Sequence, residues 1–204
     1  MSTEINKRAA GMQVRETGIG IVNRSRTYDV AYIGIFTALI TICSWISIPT
    51  AIPFTLQTFA VFLSVSILGG KRGTLAVVVY VLLGAVGVPV FAEFTGGIGI
   101  IMNNTGGYII GFIFAALVMW LTERILGREL WARGIAMVLG LIVCYAFGTA
   151  WFMLVYMRDS GAVGLSTVLG WCVIPYIIPD ALKIALALTL SSLLRKPLVG
   201  IIGD

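Results

Sequence analysis

The sequence predicts an all-α integral membrane protein with six transmembrane helices, cytoplasmic N- and C-termini and a binding pocket near the extracellular face. Three observations carry that expectation. Of 204 residues, 59% are hydrophobic and only 11% are charged, with a mean hydropathy of +1.01. A soluble domain is usually about 45–50% apolar and about 25% charged. The apolar residues fall in blocks near the roughly 20-residue length that crosses a bilayer. The basic residues collect between alternate blocks.

A polar, basic tail is expected over residues 1–28 and a six-helix membrane domain over 29–204. The tail holds five basic and two acidic residues, with no apolar core of a cleaved signal peptide. A basic tail before a span reads as a topology signal rather than as a nucleic-acid contact. The first helix is expected at 29–48 and stops before Pro49. The second, 55–70, ends at "GGKRG" and is followed by a third at 73–91. The fourth, 106–122, follows the glycine-rich stretch "EFTGGIGIIMNNTGG". The fifth is expected at 134–157 and the sixth at 171–194. The second and fourth are short for a full crossing.

With the N-terminus inside, six spans put twelve Lys and Arg residues on the cytoplasmic side and only Arg158 outside. Lys183 is within a span. The opposite orientation would invert this positive-inside bias. Loops 49–54, 92–105 and 158–170 then face outward and are rich in Gly, Pro, Thr and Asn. Asn103, Asn104, Thr105, Gly106 and Gly107 offer amides, a hydroxyl and approachable backbone. Irregular backbone at membrane depth persists where it is buried in protein or lines a cavity, which points to an outward pocket.

The short motif "PDALK", Pro179 to Lys183, is the chemical anomaly of the chain. Asp180 and Lys183 share one face of the last helix. Asp180 precedes Arg195 by 15 residues, about 22 Å of helix, which places it in the outer third of the bilayer if Arg195 marks the inner interface. A charge alone in hydrocarbon costs roughly 2.5–3.5 kcal/mol on insertion scales, so the pair must face the bundle interior. It is either a self-cancelling structural ion pair or the polar part of a ligand site. Pro175 and Pro179 beside it free backbone carbonyls in the preceding turns.

Other chemistry is missing from the sequence. The chain has no histidine, so a Ser-His-Asp or Cys-His catalytic set is ruled out. Cys43, Cys144 and Cys172 are scattered through apolar segments and read as small buried hydrophobes rather than metal ligands. The chain lacks a GxxxxGK[ST] phosphate loop. Away from the span ends, Asp180 is the lone acid inside a span unless Glu93 moves in from its loop. These features argue against an enzyme and require no cofactor. Ala31, Gly34 and Ala38 place small residues one turn apart on the first helix, a face another helix could approach closely. Arg124, Arg128 and Arg133 suit anionic headgroups of the lipid bilayer.

The stretch from "IPFTLQTF" to "MNNTGGYIIGF", residues 52–112, together with "PDALK", carries a resemblance. "PFTLQT", "LLGAVGVPVF" and "TGGY" occur in this order. The chain resembles the biotin-specific substrate-binding subunits, or S components, of energy-coupling factor (ECF) vitamin transporters, the BioY family. The resemblance covers about residues 30–196. Where family members commonly carry Pro before the "TGGY" threonine, this chain has Asn104.

The resemblance implies a subunit of a prokaryotic plasma membrane that captures biotin, as bound substrate, from outside. It implies a transmembrane scaffold subunit and two ATPase subunits on separate chains. Asn103, Tyr108, Asp180 and Lys183 are expected to meet the ligand, with Asn104, Thr105 and Gly106 in the same loop. Phe54, Thr55 and Gln57 would cap the site. Trp171, with Phe54 and Tyr108, would pack on the apolar part of biotin. Ala31, Gly34 and Ala38 would dock on the scaffold. The layout alone leaves open an S component for another vitamin or an ion-coupled carrier.

Overall fold

The computed structural model describes residues 26–49 and 53–202, with side-chain environments as far as residue 194. The tail expected over 1–28 therefore lies, up to residue 25, outside the described residues, as do residues 50–52 of the first outward loop. By its contacts the chain divides into two units, residues 1–32 and 33–204. The described part of the first unit is the opening of helix α1, which runs Arg26–Trp45. The remaining elements lie in the second.

Strands β1, Ser47–Ile48, and β2, Phe54–Thr55, pair antiparallel. This small hairpin occupies both the end of the expected first helix and the start of the expected second. Pro49 cannot continue a helix begun upstream, so the chain turns into extended backbone there. Helix α2, Gln57–Leu68, begins where Thr55 Oγ1 accepts the Gln57 backbone N–H at 3.2 Å. Every residue of α2 except Phe59 is buried. A helix that is apolar all round belongs at the centre of the packing.

Helix α3, Gly70–Ala85, starts and stops earlier than the expected 73–91. Gly87 adopts φ +105° and Pro89 follows, so the helix cannot extend to residue 91. The segment after it folds as a one-turn 3-10 helix, Ala92–Phe94, then helix α4, Ile98–Met102. Helix α5, Gly106–Leu126, and helix α6, Leu130–Ser160, outrun the expected 106–122 and 134–157.

The expected sixth helix is two pieces. Helix α7, Leu165–Cys172, is followed by a 3-10 turn, Ile174–Tyr176, and then by helix α8, Ile177–Ile202. Pro175 lies in that turn and Pro179 in the first turn of α8, where a missing N–H breaks no ladder bond. The break puts Asp180 in the first turn of α8, the end that favours a negative charge.

Among the described residues, four helical stretches are long and apolar enough to cross a membrane: 26–45, 106–126, 130–160 and 165–194. The expected second and third spans are shorter here. At 12 and 16 residues, α2 and α3 are about 18 and 24 Å long, against about 30 Å of hydrocarbon. In the most apolar window of α6 only 28% of the residues are buried within the chain. Such a helix presents most of its apolar surface outward, which suits lipid and not water. The protein is a helical, multi-pass membrane protein.

Gly106 opens α5 against the end of α4. A Cβ there would lie 1.8 Å from the Ile101 carbonyl oxygen, a backbone atom that cannot rotate away. Gly106→Ala is therefore expected to destabilise the fold by about 1–3 kcal/mol, the usual scale of overpacking. A thermal melt in detergent should show a clearly lower midpoint than wild type; an unchanged midpoint would show that the α4–α5 junction yields.

Candidate functional site

A cavity of about 330 Å³ lies where the hairpin, α2, the 91–105 segment, α5, α6 and α8 converge. That is near the lower end of the 300–1,000 Å³ range of small-molecule sites. Its polar groups converge from distant parts of the chain, and its remaining wall is aromatic and aliphatic. Thr55 and Gln57 reach it from the hairpin and the start of α2. Asn103, Thr105 and Tyr108 reach it from the loop and first turn of α5. Asp180 and Lys183 reach it from α8.

The acid and base are both paired and cavity-lining. Lys183 Nζ donates to Asp180 Oδ1 at 2.7 Å, with 5% of each side chain exposed. The second carboxylate oxygen, Oδ2, accepts the Tyr145 hydroxyl at 2.5 Å. Lys183 Nζ also sits 4.2 Å from the centroid of the Phe54 ring, a cation–π contact from the hairpin. Phe54 in turn stacks on Tyr176, whose ring also lines the cavity. Each charge thus has protein partners in the described structure, while the wall beside them is open.

Tyr108 is positioned by α6. The ring lies flat against Gly148, where a Cβ would come within 2.3 Å of it. That approach brings the Tyr108 hydroxyl 3.1 Å from Thr149 Oγ1. Asn103 Oδ1 accepts the Asn104 backbone N–H at 2.7 Å, and the Asn103 carbonyl accepts from Trp151 Nε1 at 3.1 Å. With its oxygen committed to the turn, the Asn103 amide presents its NH₂ as a donor.

Four expected site residues do not line the cavity. Trp171 is 42% exposed and packs edge-on against Tyr156, because α7 ends at Cys172 and carries the indole outward. Phe54 stands behind Lys183 and Tyr176 rather than at the surface of the cavity. Asn104 Oδ1 is buried with no partner among the described residues. Gly106 shapes the α4–α5 junction instead. Glu93, in contrast, does line the cavity, with φ +57°.

Tyr145 was missed in the sequence. It sits in an apolar run of α6, 35 residues from Asp180, with no motif around it. The general rule that a buried carboxylate needs hydrogen-bond donors implies such a partner, but not which residue it is. Tyr176 and Tyr80 escaped notice for the same reason.

Because the ion pair is buried, Lys183→Met should leave Asp180 uncompensated and lower the melting midpoint. Adding Asp180→Asn should recover part of that loss, since a neutral pair carries no unpaired charge. A double variant no more stable than Lys183→Met alone would show that the charges are not coupled.

The sequence profile described as the BioY family matches residues 12–199. The "Biotin transporter BioY" of Thermotoga maritima is 44% identical over 170 residues, covering 80% of this chain and 93% of that protein. The "Probable biotin transporter BioY" of Pyrococcus horikoshii is 36% identical over 168 residues, 82% of this chain and 96% of that protein. Among solved structures, the 2.1 Å crystal structure of an S-component for biotin from an ECF-type ABC transporter superposes with a TM-score of 0.76. It shares 25% sequence identity and covers 85% of this chain and 94% of its own.

Proposed function

Because the chain belongs to the BioY family, we propose that it is the membrane S component of an ECF importer and that its substrate is biotin. A transporter S component is a binding subunit and not an enzyme. The observation that carries the reading is the cavity on which Asp180, Lys183 and Asn103 converge, with Gln57 and Glu93 also on its wall beside aromatic and aliphatic side chains.

Biotin fits that wall chemically. Its ureido ring has two N–H donors and one carbonyl. Asp180 supplies an acceptor, and the Asn103 NH₂ and Lys183 supply donors. The sulfur ring and valeryl chain are apolar and suit Tyr108, Phe112 and Tyr176. A buried polar group left without its ligand partner costs roughly 1–3 kcal/mol, so such a site rejects analogues that lack a matching group.

In this reading α1, α2, α3, α5, α6 and α8 make six spans, and both termini are cytoplasmic. The cavity then opens to the outside of a prokaryotic plasma membrane. The support is the distribution of basic residues, twelve inside against Arg158 outside. In this reading the partners are a scaffold subunit and two ATPase subunits on other chains, and the lack of a GxxxxGK[ST] loop here agrees with that division of labour. The face presented to the scaffold is Ala31, Gly34 and Ala38. All three are exposed, and a Cβ on Gly34 would meet nothing within 4 Å. Small residues there allow close backbone approach by another helix.

Calorimetric titration with biotin tests the site. Asp180→Asn and Lys183→Ala should each weaken binding more than tenfold in protein that still inserts and folds. Wild-type affinity in both variants would refute the assignment. For the docking face, Gly34→Leu should leave biotin binding intact and reduce co-purification with the scaffold. A complex that survives that change has its interface elsewhere.

A further inference from the structure

Both oxygens of the Asp180 carboxylate already hold protein donors. Lys183 Nζ donates to Oδ1 at 2.7 Å and the Tyr145 hydroxyl to Oδ2 at 2.5 Å. With 5% of each side chain exposed, Asp180 and Lys183 lie away from water, where a charge needs its counter-charge. Asp180 is therefore ionised, and an ionised carboxylate can only accept. That fixes the direction of the Tyr145 bond: the hydroxyl gives its single proton to Asp180.

What remains to Tyr145 is its oxygen. A hydroxyl carries two acceptor lone pairs besides its one proton. Among the described residues no donor reaches this oxygen, although Tyr145 lines the cavity. Donation to a carboxylate also strengthens the oxygen as an acceptor, because linked hydrogen bonds polarise one another. A ligand N–H that approaches Asp180 from the cavity meets a carboxylate already holding two donors. At 2.5 Å from that carboxylate it meets a hydroxyl oxygen holding none.

We propose that Tyr145 is a specificity-determining residue of the cavity, whose hydroxyl oxygen accepts a ligand N–H of the urea or amide class. This rests on the biotin reading and deepens it. Asp180 then has a second task, which is to hold the hydroxyl proton away from the ligand. A ligand with a methylated nitrogen at that position brings no proton to the waiting lone pair and is rejected. A tyrosine that serves only to satisfy Asp180 would behave with the opposite sign, since removing its hydroxyl would free a carboxylate oxygen for the ligand.

A double-mutant cycle read by biotin titration tests the proposal. Tyr145→Phe keeps the ring and removes the acceptor, and should weaken biotin about fivefold to tenfold, the size of one hydrogen bond. Melting midpoints show that the variant folds. In an Asp180→Asn background, where the new amide can donate to Tyr145 and occupy its oxygen, Tyr145→Phe should cost nothing further. That comparison stands even if Tyr145→Phe alone does not fold, because the double variant leaves no carboxylate short of a donor. Biotin methylated on one ureido nitrogen gives a second readout. Wild type should reject at least one of the two methyl isomers strongly, and Tyr145→Phe should narrow that gap. Unchanged or tighter biotin binding by Tyr145→Phe, an equal loss in both backgrounds, or an unchanged gap overturns the role of Tyr145 while leaving biotin capture standing. A wild-type protein that does not bind biotin overturns both.

Discussion

The structure depends on keeping one buried ion pair satisfied inside an apolar bundle without filling the space beside it. Asp180 receives Lys183 on one oxygen and Tyr145 on the other, and Lys183 rests over Phe54. Four segments must be in place for this arrangement: the hairpin, α6, the α7–α8 break and α8. The break is what allows Asp180 to sit in a first helical turn, where the backbone dipole favours its charge. An uninterrupted helix through residues 171–194 would remove that support. The pair is thus both a structural requirement and a polar wall, and the two roles meet because the neighbouring volume is left open.

The surrounding scaffold serves the same end. α2, buried on nearly every side, is an apolar post on which α3, α5 and α8 pack. Its first residue, Gln57, is delivered to the cavity by the hairpin, while the exposed apolar faces of α5, α6 and α8 are left to lipid. Small residues permit the closest approaches: at Gly148 the α6 backbone lies under the Tyr108 ring. Polar groups inside this bundle are linked to one another, such as Gln57 to Tyr80 and Tyr145 to Asp180 and Lys183. That is expected where water is excluded and an unmatched donor is expensive.

Much of this was legible in the sequence, for physical reasons. The bilayer is a severe solvent, so hydropathy and basic-residue placement reveal a multi-pass helical protein. Asp180 and Lys183 stood out because a charge in an apolar run demands a reason. Asn103 and Thr105 stood out through a glycine-rich loop, and Tyr108 through the resemblance to the BioY family. The pairing of strands 47–48 and 54–55 was not legible, since an apolar run before a proline suits a helix and a strand equally. The α7–α8 break was not expected: one helix was read through 171–194, although Pro175 and Pro179 both lie within it. Trp171 was assigned to the site by its aromatic character, and only the three-dimensional course of α7 turns it away. Tyr145 and Tyr80 are polar partners supplied from far along the chain, and tyrosine in an apolar helix carries no local mark of such a role.

The most direct measurement is a crystal structure grown in the presence of biotin. The account predicts the ureido ring seated in the cavity between Gln57, Asn103 and Asp180, with Lys183 within hydrogen-bond reach of the ligand or of Asp180. Biotin bound at a different place, with the Asp180–Lys183 wall untouched by any ligand atom, would contradict it.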